Sequence, residues 1–218
     1  MDASAFLGRV RERLGDGDGD GRSPARAAPP TPPDALAQTM VSGDGRLFER
    51  FEEQLRALAG EARRVRQDEL AEAVASVAAG ARSAILGADL GEMREAVAEG
   101  LARAGATARE PTREAAEAAD LGVTGAVLGV ASTGSILLAS GPDSARATGL
   151  LPPTHLVVLP EERIVPGFEE LFDAMPRLVA ASSALVLVSG PSRTSDIEMT
   201  PILGVHGPER VVVLVVSE

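Results

Sequence analysis

The residues best equipped for chemistry in this chain are gathered in one string, Ser189-Gly190-Pro191-Ser192-Arg193-Thr194-Ser195-Asp196-Ile197-Glu198. It sets hydroxyls, a guanidinium and two carboxylates between the apolar runs Ala184–Val188 and Val211–Val216. A guanidinium grips a carboxylate or phosphate through a two-pronged fork. Arg193 is therefore the anion-binding candidate, with Ser192 and Thr194 as hydroxyl donors. Asp196 and Glu198 would orient Arg193, or act as a general base if desolvation raised their pKa. The competing reading is an Arg193–Asp196 pair that only steadies the loop. Ligands of open α/β sheets collect outside the carboxyl ends of strands, so a polar loop behind an apolar run is where a site is expected.

Three further groups belong to this inventory. Ala131-Ser132-Thr133-Gly134-Ser135 offers backbone N–H groups and hydroxyls to an anion, which adds Thr133, Gly134 and Ser135 to the substrate-binding candidates. A tight hairpin turn that needs glycine accounts for the same residues. His206, in Gly204-Val205-His206-Gly207-Pro208, is an acid–base candidate or else a histidine bonded to backbone. His155 opens the run Leu156–Leu159 and reads as structural. Arg146 reads as an anion clamp or as a solvated surface arginine.

Composition removes much other chemistry. The 218 residues contain no cysteine, so this chain holds no thiolate nucleophile, thiolate-bound zinc or Fe–S cluster of its own. There is no lysine either; all 21 basic residues are arginine, which excludes Schiff-base chemistry and a P-loop lysine. The two histidines are far apart in sequence, and no metal site is expected. Asp16-Gly17-Asp18-Gly19-Asp20-Gly21 is similar to a calcium loop, but the twelfth position counted from Asp16 is Ala27, where a bidentate Glu is required. A net charge of −11 with 2% aromatic residues argues against nucleic acid as a partner. No apolar run reaches the roughly 20 residues of a membrane span, and the start lacks a signal-peptide pattern, so the expectation is a cytoplasmic protein.

The elements that would position these groups follow from periodicity. A short helix is expected over 2–14 and an acidic, Pro-rich linker over 15–45, so residues 1–45 form an N-terminal part ahead of an α/β domain at 46–218. Leu47, Phe48, Phe51, Leu55 and Leu58 share a helical face, as do Leu70, Val74 and Val77, and Met93, Val97 and Leu101. Ser83–Leu86 reads as a strand ended by Gly87, and 111–118 as a helix opened by Pro111. From Leu121 onward, glycines punctuate short apolar runs. Those at Leu156–Leu159, Ala184–Val188 and Val211–Val216 are continuous, as in strands buried on both faces. Phe168, Leu171, Phe172 and Met175 make a helical stripe between two of them. The order strand–helix–strand implies a mostly parallel sheet flanked by helices on both faces.

These motifs taken together resemble the LUD-domain family, of the lactate utilisation protein C type. The resemblance rests on Gly122–Ala126, Ala131–Ser135, Leu150–His155, Ser189–Glu198 and Gly204–Pro208. It implies a fold like that of ribose-5-phosphate isomerase, glucosamine-6-phosphate deaminase and the CoA transferases. It implies a part in oxidising L-lactate to pyruvate beside Fe–S partner proteins, with no cofactor on this chain. Ser132 departs from the family, which commonly carries a carboxylate there. The alternatives are a stand-alone enzyme of the CoA-transferase or isomerase kind, using Asp196 or Glu198, and a module that binds a small carboxylate or phosphate.

Overall fold

The computed structural model of the chain describes residues 46–141, 146–195 and 201–218. The helix expected at 2–14, the linker at 15–45, and Asp196 and Glu198 lie outside the described residues. In chain order the first elements are α1 (Leu47–Ala57), β1 (Glu61–Arg66), α2 (Leu70–Val77), β2 (Ser83–Leu86), α3 (Arg94–Arg103), β3 (Thr107–Arg109), α4 (Arg113–Ala118) and β4 (Leu121–Gly125). Then come β5 (Leu128–Val130), β6 (Ser135–Ser140), α5 (Ala147–Leu150), β7 (Thr154–Pro160), β8 (Ile164–Val165), α6 (Phe168–Ala181), β9 (Ala184–Val188), β10 (Arg193–Ser195), β11 (Pro201–Leu203) and β12 (Arg210–Ser217).

Six strands form a wholly parallel sheet in the order β1-β12-β7-β4-β2-β3. The expected α/β class and largely parallel sheet are therefore present. β12 shows why its sequence reads as an unbroken apolar run. Val212, Leu214 and Val216 enter a core with Leu70, Val74, Val97 and Leu101 of α2 and α3. Val211, Val213 and Val215 enter a second core with Phe48, Phe51 and Leu55 of α1. A strand buried on both faces must be apolar at every position.

The second face is not covered by helices alone. α1 shares it with a four-stranded sheet of order β8-β5-β6-β9, and α6 covers the outer side of that sheet through Leu171 and Leu178. This corrects two expectations. Ala184–Val188 is not a core strand of the parallel sheet; it is an antiparallel edge strand whose residues are half-buried or exposed. The stripe at Phe168–Met175 is not a crossover within the parallel sheet, because α6 joins β8 and β9, both in the smaller sheet. A short apolar run has the same composition in either setting, and only its pairing partners distinguish them.

Local signals hold better. Phe48, Phe51 and Leu55 recur at helical spacing on the buried face of α1. The helix expected over 111–118 begins after Thr112, not at Pro111: the Thr112 hydroxyl accepts a hydrogen bond from the Ala115 N–H and caps α4. β1 was not foreseen, because Glu61-Ala62-Arg63-Arg64-Val65-Arg66 is a charged edge strand with little apolar content. Charge on an edge discourages pairing with a second chain.

Gly122 lets α5 lie directly on β4, since a β-carbon there would overlap the Thr148 backbone carbonyl. Gly122→Ala is expected to cost about 1–3 kcal/mol, the usual range for forced overpacking. Chemical denaturation measures this, and an unchanged midpoint would mean that α5 does not press on β4.

Candidate functional site

The motif strings converge at the amino ends of β7 and β12. The turn 131–134 connects β5 and β6 as an antiparallel hairpin, so the hairpin reading of that segment is correct. Within it, Thr133 Oγ1 donates to Ser135 Oγ at 2.8 Å. Ser135 Oγ lies 2.7 Å from Ser189 Oγ, which brings two of the motifs into contact. A hydroxyl has one proton to donate. Ser135 accepts from Thr133, either serine can donate across the second contact, and Ser189 stands at the exposed end of the row.

Both loops rest on the end of α1. Gly134 has φ of 62° and its α-carbon faces the backbone of Gln54 and Leu55; Gly190 has φ of 126° and faces the Leu58 carbonyl. A side chain at either place would meet both a steric block and an unfavourable backbone region. The Ser189–Ser195 segment is then tied to the sheet by backbone: Ser192 N–H donates to Pro208 C=O, and Gly204 N–H donates to Ser192 C=O. Pro153 C=O accepts from the N–H groups of Glu209 and Arg210 at the start of β12. Arg210 also donates to Glu61, and the guanidinium beside it holds the Glu61 carboxyl below its ordinary pKa.

The structure thus brings Thr133 and Ser135 against Ser189, while Ser192 is tied through its backbone to Pro208 and Gly204. Arg193 starts β10 with its side chain exposed, and Thr194 is half-buried beside it. His206 is exposed in the turn between β11 and β12.

The carboxyl ends of the parallel strands carry a different set of groups, which sequence reasoning missed. A cleft of about 480 Å³ lies over the ends of β4, β7 and β12, lined by Asp89, Glu92, Gly125, Pro160, Glu162 and Arg163 among others. Gly91 in its wall has φ of 54° and ψ of −133°, a conformation open to glycine. The available signal was polar residues immediately after apolar runs: Glu161-Glu162-Arg163 after β7 and Gly87-Ala88-Asp89 after β2. Near the amino end of β7, His155 is buried, as expected for a structural histidine. Its Nε2 lies 2.8 Å from Thr124 Oγ1 on β4, and burial pushes its pKa down to about 4. Among the described residues no group of three or more His, Cys, Asp or Glu is placed to hold a metal ion.

Residues 48–216 match the family model of the LUD domain. Lactate utilization protein C of Halalkalibacterium halodurans is 37% identical over 110 residues, which are 48% of this chain and 47% of that protein. The protein of the same name from Bacillus subtilis is 34% identical over 107 residues, 47% of this chain and 45% of its own. That from Deinococcus radiodurans is 39% identical over 100 residues, 45% of this chain and 47% of its own. The chain thus spans about half the length of the curated relatives it matches. A crystal structure of a DUF162 family protein from Deinococcus radiodurans superposes with a TM-score of 0.62 over 81% of this chain and 100% of that one. At 23% identity this likeness shows a common fold.

The depressed pKa of His155 has a consequence for stability. The unfolded chain takes up this proton near pH 6.5 and the folded chain only near 4, so stability falls as pH drops through that window. The full shift corresponds to about 3 kcal/mol. In His155→Gln this component should vanish. Denaturation midpoints measured from pH 7 to pH 4 for both proteins would test it; parallel curves would mean that His155 titrates as it does in water.

Proposed function

The chain belongs to the LUD-domain family, and from that premise we propose that it is an accessory subunit of a lactate utilisation system. In that system L-lactate is oxidised to pyruvate and the electrons pass to Fe–S partner proteins. The observation that carries this reading is the similarity over about half the chain to proteins named lactate utilization protein C. The chemistry of the chain is consistent with it. Oxidation of lactate removes two electrons and two protons, and something must receive the electrons. A chain without cysteine supplies no thiolate to ligate a cluster, which is consistent with clusters carried by partners. No helix among the described residues is long and apolar enough to cross a membrane, and we place the system in the cytoplasm.

In this role the hydroxyl row Thr133–Ser135–Ser189, together with Ser192, Thr194 and exposed Arg193, forms a polar surface at the amino rim. Its exposed guanidinium and the outward Ser189 hydroxyl are suited to a carboxylate or phosphate presented by a ligand or a partner. The sugar-phosphate isomerases of the implied fold pair a carboxylate with a lysine; this chain has no lysine, so their reaction is not transferred to it.

Deletion of the gene is expected to abolish growth on L-lactate as sole carbon source while growth on pyruvate continues. Affinity capture of the tagged chain from its host should yield proteins with the visible absorption of Fe–S clusters. Unimpaired growth on lactate, in a host shown to lack a second lactate-oxidising system, would overturn the proposal. So would turnover of a CoA ester or sugar phosphate by the purified chain alone, which would favour the stand-alone enzyme.

A further inference from the structure

The two main sheets are guarded unequally at their edges. An edge strand presents a row of unpaired N–H and C=O groups, and charge or shortness keeps another chain from pairing with them. β1, at one edge of the parallel sheet, carries Glu61, Arg63, Arg64 and Arg66. β3, at the other, has three residues and ends in Arg109, and β8 of the smaller sheet has two residues. β9 has neither protection. Its five residues, Ala184-Leu185-Val186-Leu187-Val188, pair with β6 on one side, and among the described residues no strand pairs with the other. None of them is charged, and neither is any residue from 178 to 192.

The side chains of this edge are also incompletely covered. Leu185 and Leu187 share one face of β9, because side chains alternate along a strand. Leu185 packs against the core that α6 closes with Leu171 and Leu178, whereas Leu187 is 42% exposed. Val179, close to the end of α6 that leads into β9, is 59% exposed. The acidic first turn of α6, with Glu169 and Glu170, is at the other end of the helix, which starts after β8. A strand laid antiparallel along the free edge would take up its outward N–H and C=O groups and set a side chain opposite Leu187.

The sequence here is nearly its own reverse. Paired with itself antiparallel about Val186, Ser183 stands opposite Ser189, Ala184 opposite Val188 and Leu185 opposite Leu187. Each exposed Leu187 is then matched by a leucine, and the serines fall at the two ends. Such self-complementarity is what a twofold interface demands. Charge favours the same occupant. The strip offers nothing for an acidic or basic segment to pair with, so it suits a segment equally uncharged. Two copies of a chain with net charge −11 repel each other, and they can approach closely where neither presents a charge. We propose that β9 pairs antiparallel with β9 of a second copy of this chain, across a twofold axis at Val186, so that the two four-stranded sheets become one continuous sheet.

The pairing does not depend on the role proposed above. It is tested on the full chain by sedimentation equilibrium at micromolar concentrations, where a dimer is expected. Leu187→Arg sets two guanidinium groups on positions that are diagonal neighbours across the axis, about 7–8 Å apart, and should raise the dimer Kd about tenfold or more. Phe172→Ser, which removes an exposed apolar side chain elsewhere on α6, should leave Kd unchanged. A second measurement does not rely on Leu187→Arg folding. The chain has no cysteine, so a single introduced thiol reports on itself alone. Val186→Cys places two thiols opposite each other with α-carbons about 4.5–5.5 Å apart, within reach of a disulfide, and should yield a covalent dimer with oxidised glutathione. Phe172→Cys should not. A monomer, a dimer indifferent to Leu187→Arg, or cross-linking through Phe172→Cys and not through Val186→Cys would overturn the proposal. So would a monomer whose capture of a host protein is lost in Leu187→Arg, which would give this edge to a foreign strand.

Discussion

A parallel sheet has two apolar faces and must cover both. That requirement, concentrated in β12, organises everything described. The strand lies between β1 and β7, and its side chains enter the two cores alternately. Each of Val211, Val212, Val213, Leu214 and Val215 is fully buried. Burying one such side chain contributes about 1.5–3 kcal/mol, so this strand is among the largest single sources of stability in the chain. Its place in the sheet also brings the β11–β12 turn, with His206, beside the amino end of β7.

The two faces are covered by different means, and the difference creates the sites. α2 and α3 pack on one face as ordinary amphipathic helices. The other face takes α1 and a second sheet. A small antiparallel sheet placed there needs tight hairpins, and the β5–β6 turn supplies Thr133, Gly134 and Ser135. It also needs room beside α1, which glycine provides at positions 134 and 190. The hydroxyl contact between Ser135 and Ser189 follows directly from the pairing of β6 with β9, in which Ile136 stands opposite Val188. The motifs meet because the second layer is a sheet.

This explains what was legible in the sequence. Elements governed by local chemistry could be read: the faces of α1 and α2, and the strand Ser83–Leu86 with its terminating glycine. The parallel sheet could be read from the unbroken runs at β7 and β12. The second sheet could not. Ala184-Leu185-Val186-Leu187-Val188 has the composition of a buried parallel strand, and membership of one sheet or another depends on partners distant in sequence. The same limit applied to the sites. Ser189–Glu198 stood out because its polar residues are contiguous. The cleft groups Asp89 and Glu92 come from the segment after β2 and Glu162 from the one after β7, each unremarkable alone, and only the register of β2, β4 and β7 gathers them.

The two rims of the sheet therefore ask for different interpretations. At the amino rim, the dense strings are occupied largely by backbone: the Ser192 N–H and C=O are both bonded, Pro153 C=O accepts twice, and the glycines serve close packing. Such sequences are constrained by geometry whether or not a ligand is present. The carboxyl rim draws its polar side chains from two segments instead: Asp89 and Glu92 follow β2, and Glu162 and Arg163 follow β7. Buried Thr124 is held by a ring whose other nitrogen has no partner among the described residues, and the adjoining walls carry both an arginine and an aspartate. Burying two polar side chains with one hydrogen bond between them, and leaving Nδ1 unmatched, costs stability that an apolar pair would not. A fold that could fill this place with valine, as it does at Val157 two residues further along β7, instead keeps a histidine bonded to a threonine.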